Sequence, residues 1–268
     1  MNFMLDINNR YGLEAIQFPD GQYHVRLHEG LLNRDGHQTD VRCAIKSPTD
    51  LYLLMATSNA LDNAFIKKGT LTIPYLMGAR SDRVMLEGDS VGLKVVAQMI
   101  NHCGFEKVIL FDVHSDVALQ LINKSVNVNN RSLVEAYDKK DAVLICPDAG
   151  AAKKIDSYLE WNPNITDVVH CVKSRDLKTG AITLRVLSPL ACSEEHCVII
   201  DDLCDGGGTF LAVSDQIKFP QSMTLIVSHG IFSKGLAVFK GKFDKIITTN
   251  SYQKQTQSEL LETKELPL

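Results

Sequence analysis

An excess of basic charge, a Cys-x-x-Cys pair, a long apolar run and low-complexity sequence are all missing from this chain, and each absence closes a class of function. Lys and Arg number 28 against 32 Asp and Glu, a net charge of -4. The overall positive field of a dedicated nucleic-acid binder is therefore lacking. The seven cysteines, at 43, 103, 146, 171, 192, 197 and 204, are odd in number and irregularly spaced, which suits reduced thiols in a cytosol. No stretch approaches the ~18 apolar residues of a membrane span. The opening Met-Asn-Phe-Met-Leu-Asp has neither the basic start nor the long apolar core of a secretory signal. The expectation is a cytoplasmic protein that contacts neither membrane nor nucleic acid. Without low-complexity tracts or short repeats, a solenoid is excluded as well.

What is present is 268 residues, 45% of them hydrophobic, enough to bury a substantial core in two ordinary α/β domains. The most informative stretch is Val-Ile-Ile-Asp-Asp-Leu-Cys-Asp-Gly-Gly-Gly-Thr-Phe at 198–210. Its three β-branched residues predict a strand buried on both faces, with Asp201 and Asp202 where that strand ends. The run Phe210, Leu211, Val213, Ile217 predicts a helix just behind. A Gly-rich turn between strand and helix leaves backbone N–H groups free for a phosphate. The two aspartates suit sugar hydroxyls or Mg²⁺; by themselves they also fit solvated acids beside a plain turn. Cys204 reads as packing, not as a nucleophile.

Several other stretches frame this one. Phe18-Pro19-Asp20-Gly21-Gln22 predicts a turn, and the alternation Tyr23, Val25, Leu27 a strand after it. Residues 51–65 have helical periodicity, with Ser47, Thr49 or Asp50 as the cap. Strands are predicted over 71–74, 107–111, 141–146, 168–172, 183–187 and 224–227. The first leads into Pro74-Tyr75-Leu76-Met77-Gly78-Ala79-Arg80-Ser81-Asp82-Arg83, where Arg80 and Asp82 also fit a surface ion pair. The second exposes Asp112-Val113-His114-Ser115 at its carboxyl end, where ligands bind in open α/β sheets. Lys94 opens a helix that ends near Cys103-Gly104. Pro147-Asp148-Ala149-Gly150-Ala151-Ala152 follows the third strand and Lys173-Ser174-Arg175 the fourth. Lys178-Thr179-Gly180 predicts a hairpin turn, and the sixth strand runs into Ser228-His229-Gly230-Ile231-Phe232-Ser233. Beyond Tyr252 the polar tail predicts a helical or frayed end.

Together, and in this order over about 18–251, these stretches resemble the ribose-phosphate pyrophosphokinases (phosphoribosyl-diphosphate synthetases), built on the type I phosphoribosyltransferase fold. The chain looks like a divergent and short member. The resemblance implies an α/β architecture of two tandem phosphoribosyltransferase-like domains, each a mostly parallel sheet flanked by helices. Residues 1–131 would take the ATP side and 132–268 the ribose-phosphate side, with the active cleft between them. The implied reaction is Mg²⁺-dependent transfer of the β,γ-diphosphoryl group of ATP to the anomeric hydroxyl of a ribose 5-phosphate moiety, releasing AMP.

Carried over motif by motif, the resemblance gives Lys173 and Arg175 the catalytic role. Phe18, Asp20, Gln22, Arg80, Ser81, Asp82 and His114 would bind ATP. Asp201, Asp202, Asp205, Gly206, Gly207, Gly208 and Thr209 would bind the ribose phosphate, and His114 and Asp148 the metal. The turn at 18–22 reaches the ATP of a neighbouring subunit in the family, which implies a homo-oligomer with its active site near a subunit interface.

Two departures stand out. Where the family carries a mobile basic lid, residues 84–90 read Val-Met-Leu-Glu-Gly-Asp-Ser, and the loop reads Asp205-Gly-Gly-Gly-Thr209 in place of Asp-Thr-Gly/Ala-Gly-Thr. They point to a bulkier acceptor such as ADP-ribose, in NAD-related metabolism. The alternatives are a phosphoribosyltransferase, which shares the Asp-Asp-Gly loop, and a catalytically silent nucleotide-binding regulator.

Overall fold

The structure is a computed structural model and describes residues 3–32, 38–175, 182–188 and 192–266. The chain divides into two compact units, one through Asn129 and the other from Asn130.

The first unit opens with β1 (Phe3–Asp6), a hairpin of β2 (Leu13–Gln17) and β3 (Tyr23–Leu27), and a short α1 (Glu29–Leu32). Then come β4 (Gln38–Arg42), α2 (Pro48–Asn63), β5 (Lys67–Ile73), α3 (Gly92–His102), β6 (Lys107–Phe111), α4 (Val117–Leu121) and β7 (Ser125–Val128). Strands β1, β4, β5, β6 and β7 form, in that order, a sheet that is parallel throughout. Parallel neighbours need a crossover, and α2 and α3 supply two of them.

Helix α2 starts earlier than its apolar pattern suggested because a capping box fixes its entry. Ser47 Oγ accepts from the Asp50 N–H at 3.3 Å, and an Asp50 carboxylate oxygen accepts from the Ser47 N–H at 2.9 Å. Such caps contribute ~1 kcal/mol each. At the far end of α3, Gly104 takes φ +68 just past the cap at Cys103, as the Cys-Gly pair predicted.

The second unit contains α5 (Arg131–Glu135), β8 (Ala142–Cys146), α6 (Ala149–Ala152), α7 (Ile155–Trp161), β9 (Ile165–Arg175), β10 (Ile182–Val186) and β11 (His196–Cys204). It continues through α8 (Gly208–Ser214), β12 (Ser222–Gly230), a 3-10 turn at Leu236–Phe239, β13 (Lys245–Thr249) and β14 (Leu261–Lys264). The sheet order is β10-β9-β8-β11-β12-β13-β14, and only the β9–β10 pair is antiparallel.

Strand periodicity explains why β8 and β11 read as unbroken apolar runs. Val143, Ile145 and Ile199 pack on one side with Phe210 and Val213 of α8; Leu144, Cys146, Val198 and Ile200 pack on the other with Leu133 of α5 and Tyr158 of α7. Both faces are covered, so neither needs polar residues.

Two expectations are corrected. β11 does not stop before its aspartates: the ladder to β12 continues through Asp201↔Val227 to Cys204↔Gly230, so Asp201 and Asp202 lie within the strand. Backbone pairing, which composition does not reveal, extends it. The tail beyond Tyr252 is not simply helical or frayed either. Leu261 is fully buried, and β14 adds a parallel strand against β13. The turn predicted at 178–180 lies outside the described residues.

Candidate active site

In the first unit the loops after β5 and β6 meet at the carboxyl ends of their strands. Asp82 holds Arg83 bidentately at 2.7 and 2.8 Å and accepts from Ser115 Oγ at 2.6 Å. The Arg83 guanidinium foremost, with Ser115 assisting against the cost of burial, holds the Asp82 carboxyl well below its ordinary range. Asp82 and Arg83 thus form an ion pair in this loop.

Ser81 accepts from the Gly92 N–H at 3.1 Å, fastening this loop to the start of α3. Arg80 and His114 are both exposed. The Asp112–Val113 step before His114 is tied to β7, through the Asp112 N–H to Val128 C=O and the Val113 N–H to the Asn127 side chain. Phe18, Asp20 and Gln22 form the exposed tip of the β2–β3 hairpin, where an Asp20 carboxylate oxygen accepts from the Gln22 N–H at 3.1 Å. Sequence reasoning quoted Ser115 but gave it no role; its only signal was a hydroxyl beside His114.

The segment at 84–90 carries an apolar face, with Val84, Met85 and Leu86 all about half exposed. Asp89 pins it by accepting from the Leu86 N–H at 2.8 Å and the Met85 N–H at 3.3 Å.

In the second unit Asp148 caps the short α6, one carboxylate oxygen accepting from the N–H groups of Gly150 and Ala151 at 3.0 and 3.1 Å. Asp202 is 6% exposed, and Asp201 accepts from its N–H at 2.9 Å. Burial foremost, then the neighbouring Asp202 carboxylate and more weakly Asp148, push the Asp201 carboxyl well above its usual range. Burial and the charge of Asp201 also push the Cys204 thiol up to about 12, so it remains a packed thiol. All seven cysteines are buried and free. Lys173 and Arg175 stand two positions apart on β9, opposite Leu184 and Ile182 of β10.

The loop at 204–209 takes its shape from its glycines. Gly207 has φ +75, and a methyl group added there would lie 2.7 Å from Cε1 of Phe239, whereas one on Gly208 would meet nothing within 4 Å. A Gly207→Ala change is expected to cost about 2–5 kcal/mol, since a left-handed Ala and an overpacked ring add. Gly208→Ala should be neutral or slightly stabilising. Thermal unfolding of the two variants checks this ordering.

Sequence reasoning missed Lys234. Its stem lies over the loop, with Cγ, Cδ and Cε 3.3–3.5 Å from the point a Gly206 methyl would occupy. The motif Ser-His-Gly-Ile-Phe-Ser ends one residue before it, so the pattern gave no cue.

Mg²⁺ usually keeps several waters and takes one or two carboxylates plus substrate phosphates. Among the described residues no three His, Cys, Asp or Glu side chains are grouped to hold a metal. The carboxylates at 148, 201 and 202, the first and last of which raise the cost of charging Asp201, nevertheless fit a hard cation that arrives with a phosphate.

Residues 7–104 match the family model described as the N-terminal domain of ribose phosphate pyrophosphokinase. The chain is 29% identical over 228 residues to the ribose-phosphate pyrophosphokinase of Mycoplasma pneumoniae, covering 81% of this chain and 67% of that one. It is 26% identical over 258 residues to the Sulfolobus acidocaldarius enzyme of the same name, covering 91% and 86%. In structure it matches phosphoribosylpyrophosphate synthetase from Mycobacterium smegmatis with a TM-score of 0.82 at 16% identity, over 98% of this chain and 94% of that one. That likeness shows the fold: two phosphoribosyltransferase-like domains, each with a mostly parallel sheet and flanking helices. Residues 7–104 thus match the N-terminal domain of ribose phosphate pyrophosphokinase, and most of the chain is similar to enzymes named ribose-phosphate pyrophosphokinase.

Proposed function

We propose that the protein transfers the β,γ-diphosphoryl group of ATP to the anomeric hydroxyl of a ribose 5-phosphate moiety. The observation that carries this reading is the second unit's pairing of two adjacent acids, the half-buried Asp201 and the buried Asp202, with a glycine loop open at Gly208. Similarity to the ribose-phosphate pyrophosphokinases supplies the reaction class.

In the proposed division of labour, residues through 131 take ATP and residues from 132 take the sugar phosphate. Arg80 and His114 contact the ATP phosphates, Ser81 and Asp82 hold their loop in place, and the 18–22 turn reaches the adenine of ATP on a neighbouring copy. Asp201 and Asp202 accept hydrogen bonds from the ribose 2- and 3-hydroxyls, which orients the C1 hydroxyl. Asp205 through Thr209 hold the 5-phosphate. Mg²⁺ would neutralise phosphate oxygens, with His114 as a protein ligand on the ATP side and Asp148 as one on the sugar-phosphate side. The C1 oxygen attacks the β-phosphorus, the bond from that phosphorus to the α–β bridging oxygen breaks, and AMP leaves with that oxygen. The hydroxyl proton passes to solvent. Lys173 and Arg175 stabilise the charge on the transferring oxygens.

The acceptor is proposed to be ribose 5-phosphate or a bulkier relative such as ADP-ribose. The apolar 84–86 segment and the open space at Gly208 support the second choice. Incubation with ATP, Mg²⁺ and each acceptor, followed by mass spectrometry, is expected to yield AMP and a sugar 1-diphosphate. No AMP with any acceptor overturns the reading, and efficient use of ribose 5-phosphate with ADP-ribose untouched removes the bulkier acceptor.

A further inference from the structure

The segment after β12 is strapped to the glycine loop by its backbone. The N–H groups of Ile231 and Phe232 donate to Cys204 C=O at 2.9 and 3.2 Å, and that of Ser233 to Asp205 C=O at 3.2 Å. Phe232 adopts φ +49, a conformation costly for a non-glycine residue. It is held there by burial and by an edge-on contact with Phe239, ring centroids 5.9 Å apart. Phe239 is the same ring that lies over Gly207. Strap and loop are therefore one packed unit.

This unit delivers Lys234 to the loop. Its methylene stem covers Gly206 while the residue as a whole stays exposed, the usual disposition of a lysine that buries its stem and keeps its head in water. Close by in sequence stand Asp201, Asp202 and Asp205, the same sign as an incoming phosphate.

Resting on the function proposed above, we infer that Lys234 is a specificity-determining residue of the acceptor site, whose ammonium pairs with the terminal 5-phosphate. A point charge of this kind gains more from a monoester dianion than from a diester. Lys234 therefore favours ribose 5-phosphate at the phosphate itself and works against the space at Gly208 that admits acceptors whose 5-phosphate is esterified.

The test uses the full chain with Lys234→Met, which keeps a stem over Gly206 and removes the charge, and Lys234→Arg, which restores it. Lys234→Met is expected to raise KM for ribose 5-phosphate about tenfold, with kcat and KM for ATP within twofold and the loss for ADP-ribose smaller. Lys234→Arg is expected to recover most of the affinity. Calorimetric titration with ribose 5-phosphate, without ATP, should show the same loss, diminishing as salt rises. An unchanged KM and unchanged affinity in Lys234→Met overturn the inference while leaving the function intact. Wild-type binding that weakens tenfold in Lys234→Met, with no AMP formed by either protein, sinks the function and keeps the site. If the wild type binds no ribose 5-phosphate, both fall.

Discussion

Replacing Lys173 by Ala is expected to lower kcat roughly 10²–10³-fold, the usual consequence of removing one preorganised donor from a developing anion, while KM for both substrates stays within a few-fold. The expectation follows from electrostatics. Attack of a sugar phosphate on ATP joins two polyanions, and the second unit adds carboxylates at 148, 201, 202 and 205. One of them, Asp201, is already pushed toward its protonated form by burial and by Asp202. Negative charge that builds on the transferring oxygens needs cations in place before the reaction starts, because reorganising solvent around it would cost what the site is meant to save. The fold should survive the change. Lys173 pairs with Leu184 through the backbone ladder of β9 and β10, which any side chain supports. Single-turnover kinetics with melting curves as control would test it: an unaltered rate of AMP formation in a folded Lys173→Ala protein ends the assignment of this residue to catalysis.

Much of the fold was legible because apolar periodicity and strand burial are the same fact seen twice. The prediction over 107–111 coincides with β6, and 141–146 differs from β8 by one residue, since both strands are apolar wherever they are buried. The pattern fell short where pairing outruns apolarity. β11 carries Asp201 and Asp202 inside its ladder to β12, and β9 and β12 run past their apolar centres for the same reason. β14, Leu-Glu-Thr-Lys, has one apolar residue to announce it and exists as an edge strand because β13 offers a free ladder.

The site divides the same way. Asp148, Asp201, Asp202 and the glycine loop announce themselves by spacing from predicted strands. Ser115 and Lys234 do not, because their importance lies in what crosses to meet them: a carboxylate 33 residues upstream for Ser115, and a glycine of the preceding loop for Lys234.

Asp201→Asn is expected to separate stability from activity. The Asp201 carboxyl is raised above its unfolded value by burial first and Asp202 second. An acid of this kind binds more protons folded than unfolded, so it lowers stability as pH rises from the unfolded pKa of ~3.9 through the higher folded value. Asn carries no charge to bury, and its carbonyl can still accept the Asp202 N–H. With divalent cations chelated, the variant should melt above wild type at pH 7. The advantage should fade as pH falls below about 4, where wild type is neutral at this position in both states. Activity should move the other way. Hydrogen bonds to a charged acceptor contribute ~1.5–3 kcal/mol each, so losing the charge proposed to orient the ribose hydroxyls is expected to lower kcat/KM at least about 100-fold. Melting curves between pH 3 and 8, set beside kcat/KM at pH 7, provide the check. A variant less stable than wild type at neutral pH would mean that Asp201 has a compensating partner, and one of full activity would mean that the sugar is gripped elsewhere. Greater stability and lower activity together would mean that the charge at Asp201 costs the fold stability and is kept for the orientation of the attacking hydroxyl.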